Sequence, residues 1–185
     1  MNAFLKHRLL FLFTSHIFFV VGLHAQNNYR YAVDLNNVQD DQLTVELICP
    51  KISTQQTMFY LPKIVPGTYM NSNYGKYVHD LKAFDKAGKE LPVKKTADNS
   101  WEIKNANKIY RLKYKVEDTW DSEIRNQVYS MCGTNFEAGK NFVLNTPGLF
   151  GYFEGMKKNQ FELTFTKPMN FYAATGLKPV SSSAI

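Results

Sequence analysis

The sequence predicts an all-β protein, an antiparallel β-sandwich with hairpin connections, preceded by a signal-peptide helix. Three observations predict this fold class. Apolar residues alternate with polar ones along much of the chain, turn-forming residues separate the alternating stretches, and no long amphipathic helix follows the N-terminal apolar run. Many short strands between tight turns are typical of a β-sandwich.

The N-terminus predicts a cleaved signal peptide. Residues 6–8 are basic or histidine, an apolar run continues to Leu23, and Ala25 offers the small side chain that signal peptidase requires. The run is about 15 residues long, shorter than the roughly 20 that cross a bilayer as a helix; an uncleaved anchor is the alternative. We expect a signal peptide at 1–25, one β-domain at 26–185, export to the periplasm or medium, and no stable membrane span after cleavage.

Strands are predicted wherever hydrophobic residues recur at every second position. Turns are expected at Pro66–Gly67, around Gly88 and at Asn105, because these residue types accept the backbone angles of tight turns. One helical turn is expected over residues 120–125. The predicted strands cover residues 29–35, 43–47, 58–61, 79–84, 101–103, 110–116, 142–144 and 161–165.

The charge pattern does not indicate nucleic-acid binding. The formal net charge is +6, but positive and negative residues are interspersed along the chain. The densest basic pairs are Lys94–Lys95 and Lys157–Lys158, shorter than the runs that form a nucleic-acid patch. We therefore expect solvated surface charge and no nucleic-acid partner.

The two cysteines leave two interpretations open. Export would permit a Cys49–Cys132 disulfide, which would stabilise the fold by roughly 4 kcal/mol in the chain-entropy model. Cys49, however, is in phase with Leu43, Val45 and Leu47 on the inward side of a strand. A buried free thiol fits that position equally well.

The residues give no catalytic apparatus that the chain could use alone. Three of the four histidines lie in the first 25 residues, which leaves His79, and the sequence contains no HExxH pair for zinc and no GxSxG elbow for a serine nucleophile. Acidic residues at 40–41 and at 118–123 could suggest calcium or glycosidase chemistry, but solvated loops explain them. We predict no catalytic, cofactor-binding or metal-binding residue in this chain.

Aromatic residues gather in two presumed loops. In such loops they could bind a peptide or glycan, or form an interface, although the alternative is that they anchor the loops on the end of the sandwich. The residues are Tyr69, Tyr74, Tyr77, Phe150, Tyr152 and Phe153.

Several motifs together resemble the N-terminal domain of the glycyl aminopeptidase family of zinc metallopeptidases, in its Bacteroidetes-type version. Each motif is weak alone, whereas their combination is specific and covers nearly all of residues 26–185. The motifs are LPKIVPGTYM at 61–70, DKAGKEL at 85–91, SWEI at 100–103, AGKNFVLN at 138–145, PGLFGYFEG at 147–155 and FELTFTKPMNFYAATGL at 161–177.

This resemblance implies an exported aminopeptidase with a β-rich N-terminal domain, a thermolysin-like catalytic domain and a PDZ-like domain. We expect the chain to hold the first of these, with the catalytic and PDZ domains absent, because no position here matches HExxH. Zinc is expected in the catalytic domain alone, which would be the partner of this domain, with peptide substrates as further ligands. The alternative is a stand-alone exported β-sandwich module that binds peptide or glycan through its aromatic loops.

Overall fold

A computed structural model describes residues 27–124 and 128–179 of the chain. The predicted signal peptide at 1–25 lies outside the described residues. The all-β prediction is confirmed, because strands dominate and the one α-helical segment among the described residues is a single turn. The strands are β1 (Tyr29–Gln39), β2 (Gln42–Ile48), β3 (Gln56–Tyr60), β4 (Val78–Asp85), β5 (Glu90–Leu91), β6 (Val93–Ala97), β7 (Ser100–Lys104), β8 (Ile109–Glu117), β9 (Asn135–Glu137), β10 (Asn141–Val143), β11 (Tyr152–Phe153) and β12 (Phe161–Thr166).

The strands form a six-stranded, a four-stranded and a two-stranded sheet. The six-stranded sheet has the order β12-β1-β2-β8-β4-β5, the four-stranded sheet β11-β3-β7-β6, and the third pairs β10 with β9. Short helical segments connect them: 3₁₀ turns at Tyr74–Tyr77, Ala106–Lys108 and Ser130–Cys132, and the helical turn α1 at Thr146–Leu149.

The core lies between the two larger sheets. Along β1 every second residue from Tyr29 to Leu35 is buried, as the alternation predicts. The ring of Phe59 from β3 lies 6.1 Å from that of Tyr114 in β8, which joins the two sheets across the core. Trp101 of β7 is also buried there. Inward faces from both sheets thus share one hydrophobic core.

One strand pair departs from the antiparallel prediction. β12 runs parallel to β1, with Tyr29 opposite Phe161 and Asp34 opposite Thr166. The two strands come from opposite ends of the domain, so no tight turn joins them and none imposes an antiparallel direction. The remaining pairs are antiparallel, so the sandwich is as expected apart from this edge.

The predicted helical turn at 120–125 is wrong, and one residue of a correctly predicted strand is more exposed than its alternation suggests. Residues 120–124 are not helical, because side chains cap the backbone instead: the carboxylate of Asp118 accepts from the Trp120 N–H and the Ser122 hydroxyl accepts from the Ile124 N–H. Tyr110, in phase with the buried face of β8, is 36% exposed. It lies where the pairing of β4 with β8 shifts register.

Four strands were not predicted from the sequence: β5, β6, β9 and β11. Each is short or lacks alternation. β6 reads VKKTA and is largely exposed, since it lies at the edge of its sheet. The described residues include no helix long and apolar enough to span a membrane.

Candidate interaction surface

Four of the six aromatic residues predicted for binding are buried. Tyr74 donates its hydroxyl hydrogen to the carbonyl oxygen of Cys132 at 2.6 Å, and the Phe150 ring lies 4.7 Å from that of Tyr31. Tyr77 and Phe153 are also in the core. These rings anchor loops on the sandwich rather than facing a ligand.

The other two aromatic residues reach the surface to different degrees. Tyr152 is half-buried, with its ring 5.9 Å from that of Tyr60 and the Lys157 ammonium 5.4 Å from its centroid. Tyr69 is fully exposed at 101% of its reference area. Of the six, Tyr69 is therefore the one that a partner could contact over its whole ring.

The structure has no Cys49–Cys132 disulfide: both cysteines are free and buried. Cys49 lies in the core at the end of β2, where burial raises the pKa of its thiol. Cys132 ends a 3₁₀ turn held by the Tyr74 hydroxyl. The inward position expected for Cys49 is the observed one.

His79 takes part in a hydrogen-bonded row on the surface of the six-stranded sheet. Its Nε2 lies 2.8 Å from one oxygen of Glu117, and the other oxygen of Glu117 accepts from the Ser122 hydroxyl at 2.6 Å. The carboxylate stands between the imidazole and the hydroxyl. A serine nucleophile would need the imidazole between the other two groups, so this row is not a catalytic triad.

A carboxylate cluster lies beside that row. Ligand atoms of Asp41, Asp118 and Asp121 all lie within 4.8 Å of one another. Burial raises the pKa of Asp41, and the nearby charges of Asp121 and Asp118 raise it further. Burial also raises the pKa of Asp118, although the N–H groups of Trp120 and Phe136, which donate to its two oxygens, oppose that effect.

These groups do not fit a catalytic zinc. Catalytic zinc in peptidases is commonly held by two imidazoles and one carboxylate, with the fourth position open. Here the described cluster offers carboxylates alone, both oxygens of Asp118 already accept backbone hydrogen bonds, and His79 is bound to Glu117. No step of peptide hydrolysis can be derived from the described residues.

Exposed apolar side chains mark a different kind of site. Apart from Tyr110, every large hydrophobic side chain exposed among the described residues lies in one of three segments. We call the three segments together the apolar rim. Its members are Ile64 and Tyr69 in the first, Trp120, Tyr129 and Met131 in the second, and Val143, Phe165, Met169, Tyr172 and Leu177 in the third.

Contacts among buried residues link the stretches of chain that carry the apolar rim. The Tyr74 hydroxyl bond to the Cys132 carbonyl ties the loop of the first segment to the turn that carries Met131. The Asp118 carboxylate accepts from the Phe136 N–H and so ties the second segment to β9, the partner of β10. In the third segment, the Phe142 ring lies 5.5 Å from that of Phe171.

Comparison with known proteins identifies the family. The family model of the peptidase M61 N-terminal domain matches residues 30–184. The chain belongs to this family. The resemblance to the N-terminal domain of glycyl aminopeptidases is thereby confirmed, and the apolar rim is a surface of an M61 N-terminal domain.

A solved structure shows the same fold. The aminopeptidase N family protein from Idiomarina loihiensis matches with a TM-score of 0.60 at 19% identity, over 75% of this chain and 22% of that chain. The M61 N-terminal domain described here thus corresponds to less than a quarter of that protein's length. A search of curated proteins found no match.

Sequence reasoning missed most of the apolar rim. Only Tyr69 was singled out, whereas Trp120, Met131, Met169 and Tyr172 were not. One signal was present: the stretch from 167 to 177 holds large apolar residues without the period of a strand or a helix. A stretch without such a period cannot turn all its apolar side chains toward the core of its own domain. Apolar side chains left outside the core are typical of a segment that contacts a partner.

Proposed function

We propose that this chain is the non-catalytic N-terminal domain of an exported zinc aminopeptidase and that its apolar rim packs against the catalytic domain. The observation that carries the proposal is the rim itself: exposed apolar side chains concentrate in three segments of a domain that belongs to the peptidase M61 N-terminal family. Monomeric proteins rarely leave large apolar patches uncovered, so such a surface favours a protein partner.

The chemistry of the residues indicates which domain would hold the catalytic groups. The chain contains no HExxH, and its carboxylate cluster is a poor zinc ligand set. Zinc and the general base would therefore belong to the catalytic domain, and this domain would supply a wall and a buried interface. The proposal of export is based on the predicted N-terminal signal peptide, and it would place the mature protein in the periplasm or the medium.

The test has a genetic and a biochemical arm. The reading frame beyond codon 185 and its neighbourhood are searched for an HExxH-bearing M61 catalytic sequence, and that polypeptide is titrated with the purified chain by isothermal calorimetry. We expect a stoichiometric complex, with no zinc and no aminopeptidase activity in the chain alone. Absence of any such catalytic sequence, or tightly bound zinc and amino-terminal cleavage by the chain alone, would overturn the proposal.

A stand-alone peptide- or glycan-binding module is less well supported. Four of the six aromatic residues on which that alternative depends are buried. Saturable binding of a peptide or glycan array to the isolated chain, without any complex with the catalytic polypeptide, would favour the module instead.

A further inference from the structure

Resting on the proposed function, we propose that Tyr69 is the anchor of the contact with the catalytic domain. The loop from Lys63 to Asn73 presents this ring, and the partner site is an apolar pocket of the catalytic domain with a hydrogen-bond acceptor for the phenol. Two properties of Tyr69, its exposure and its backbone conformation, single it out within the apolar rim.

The exposure of the Tyr69 ring and the backbone conformation of Tyr69 are both unfavourable for the stability of this domain alone. Its ring is fully exposed, and its backbone φ is +55°. A bulky L-residue at positive φ is an outlier, because Cβ then crowds the following carbonyl oxygen. Strain of this kind persists only where the surrounding structure enforces it, and it clusters at functional sites. The other non-glycine residues with positive φ among those described are aspartates and asparagines, which tolerate it.

The loop that carries Tyr69 is held at its base and at its tip. The Asn73 N–H donates to the Lys63 carbonyl oxygen at 3.0 Å and closes the base. At the tip, the hydroxyl of Thr68 donates to the Val65 carbonyl oxygen at 2.8 Å. Because the frame is already ordered, presenting the ring to a partner costs little conformational entropy.

The base of the loop is also fixed to the rest of the four-stranded sheet. The side-chain amide of Asn99 donates to the side-chain oxygen of Asn73 at 2.9 Å, and its own oxygen accepts from the Gly75 N–H at 2.9 Å. Gly75 fits here because an added Cβ would meet the backbone of Asp98 and Asn99. Tyr69 therefore projects from a rigid support.

The occupant is the catalytic domain rather than a free ligand. The loop continues directly into Tyr74, whose hydroxyl bond to Cys132 joins it to the apolar rim. Ile64, in the same loop, is 53% exposed. In the solved aminopeptidase N family protein, the matched part is 22% of the chain, so most of that chain lies outside it. Tyrosines that combine an apolar ring with a polar tip are typical hot spots of protein interfaces.

Two measurements test the inference, one of binding and one of stability. Tyr69→Ala is compared with Tyr110→Ala, which removes the exposed tyrosine outside the apolar rim. We expect Tyr69→Ala to weaken binding of the HExxH-bearing polypeptide at least about 10-fold, and Tyr110→Ala to change it less than about 3-fold. Equal effects of the two substitutions would overturn the inference.

The stability arm uses the chain alone. Tyr69→Gly should raise the Tm by about 2–5 °C, because glycine occupies positive φ without strain and the exposed ring contributes nothing to the core. A fall in Tm would show that Tyr69 supports its own fold, which contradicts the inference. If the unsubstituted chain fails to bind the catalytic polypeptide, the proposed function falls as well; if it binds and Tyr69→Ala binds equally, the inference alone falls.

Discussion

The hydroxyl of Tyr114 donates a hydrogen bond to the carbonyl oxygen of Leu149 at 2.5 Å inside the core. Tyr31 donates in the same way to the carbonyl oxygen of Gly151 at 2.8 Å, and the Tyr29 hydroxyl accepts from the Phe153 N–H at 2.8 Å. Three tyrosines of the six-stranded sheet thus satisfy backbone groups of residues 149–153, which run from the end of α1 through β11. Without them, buried polar groups would be left without partners.

The first prediction tests this arrangement. Tyr114→Phe removes one donor and leaves the Leu149 carbonyl unsatisfied, so the free energy of unfolding should fall by about 1–3 kcal/mol. Urea unfolding followed by fluorescence measures the change. Tyr110→Phe, on the same strand but exposed, is the matched control and should change it by less than about 0.5 kcal/mol. A loss for Tyr114→Phe as small as that expected of the control would show that the buried hydroxyl bond adds little stability.

The second prediction concerns Gly151 in the same segment. An added Cβ would meet the carbonyl oxygen of Tyr60 and the ring of Phe59. Gly151→Ala should therefore lower the free energy of unfolding by about 1–3 kcal/mol through overpacking. Gly176→Ala is the control, because an added Cβ there has nothing within 4 Å. An unaltered midpoint for Gly151→Ala would contradict the close approach of these backbones.

The third prediction is a loss of stability at alkaline pH. Burial raises the pKa of Tyr29 to about 12, against about 10 in the unfolded chain. Between these values the folded state binds more protons than the unfolded state, so stability falls as pH rises. The free energy of unfolding, measured from pH 9 to 12, should decline over this range, and Tyr29→Phe should make the decline shallower. A decline equally steep without Tyr29 would assign it to other groups.

The fourth prediction concerns the carboxylate cluster. The pKa values of Asp41 and Asp118 are raised by burial and by the charge of Asp121. Their folded-state pKa values exceed the unfolded value of about 3.9. Between the unfolded and the folded pKa values, the free energy of unfolding therefore falls as pH rises. Asp121→Asn removes the repulsion and should raise the free energy of unfolding at pH 7 by about 0.5 kcal/mol. It should also flatten the profile between pH 4 and the raised pKa values.

A contrasting substitution controls for charge removal in general. Glu46 lies 3.3 Å from the Lys113 ammonium and 3.8 Å from a guanidinium nitrogen of Arg111. Glu46→Gln should therefore lower the free energy of unfolding slightly, opposite in sign to Asp121→Asn. The same sign for both substitutions would show that net charge, not the cluster, governs the effect.

The fifth prediction tests the apolar rim on the isolated chain. Met169 and Tyr172 are 87% and 92% exposed, so they add little to the core. Met169→Lys with Tyr172→Lys should lower the binding of a hydrophobic dye, measured by its fluorescence. The free energy of unfolding should change by less than about 0.5 kcal/mol. Unchanged dye binding would contradict an accessible apolar surface at the third segment.

Local patterns determined most of the fold. Alternation along β1, β2 and β8 predicted their buried faces because side chains point to opposite sides of a strand. It also placed Cys49 inside. By contrast, β5 and β11 have two residues each, too few for any period to show, and the register shift that exposes Tyr110 depends on its neighbour β4.

The sequence by itself determined the fold class, the family resemblance and the absence of an HExxH zinc motif, because each of these depends on residues that are close together in the sequence. The tertiary structure alone decided that β12 pairs parallel to β1, that Asp41 meets Asp118 and Asp121, and that Tyr74 is buried while Tyr69 is exposed. The reason is physical: these relationships join residues distant in sequence or depend on which face of a loop the core covers. A local sequence pattern indicates neither the long-range contacts nor the covered face of a loop.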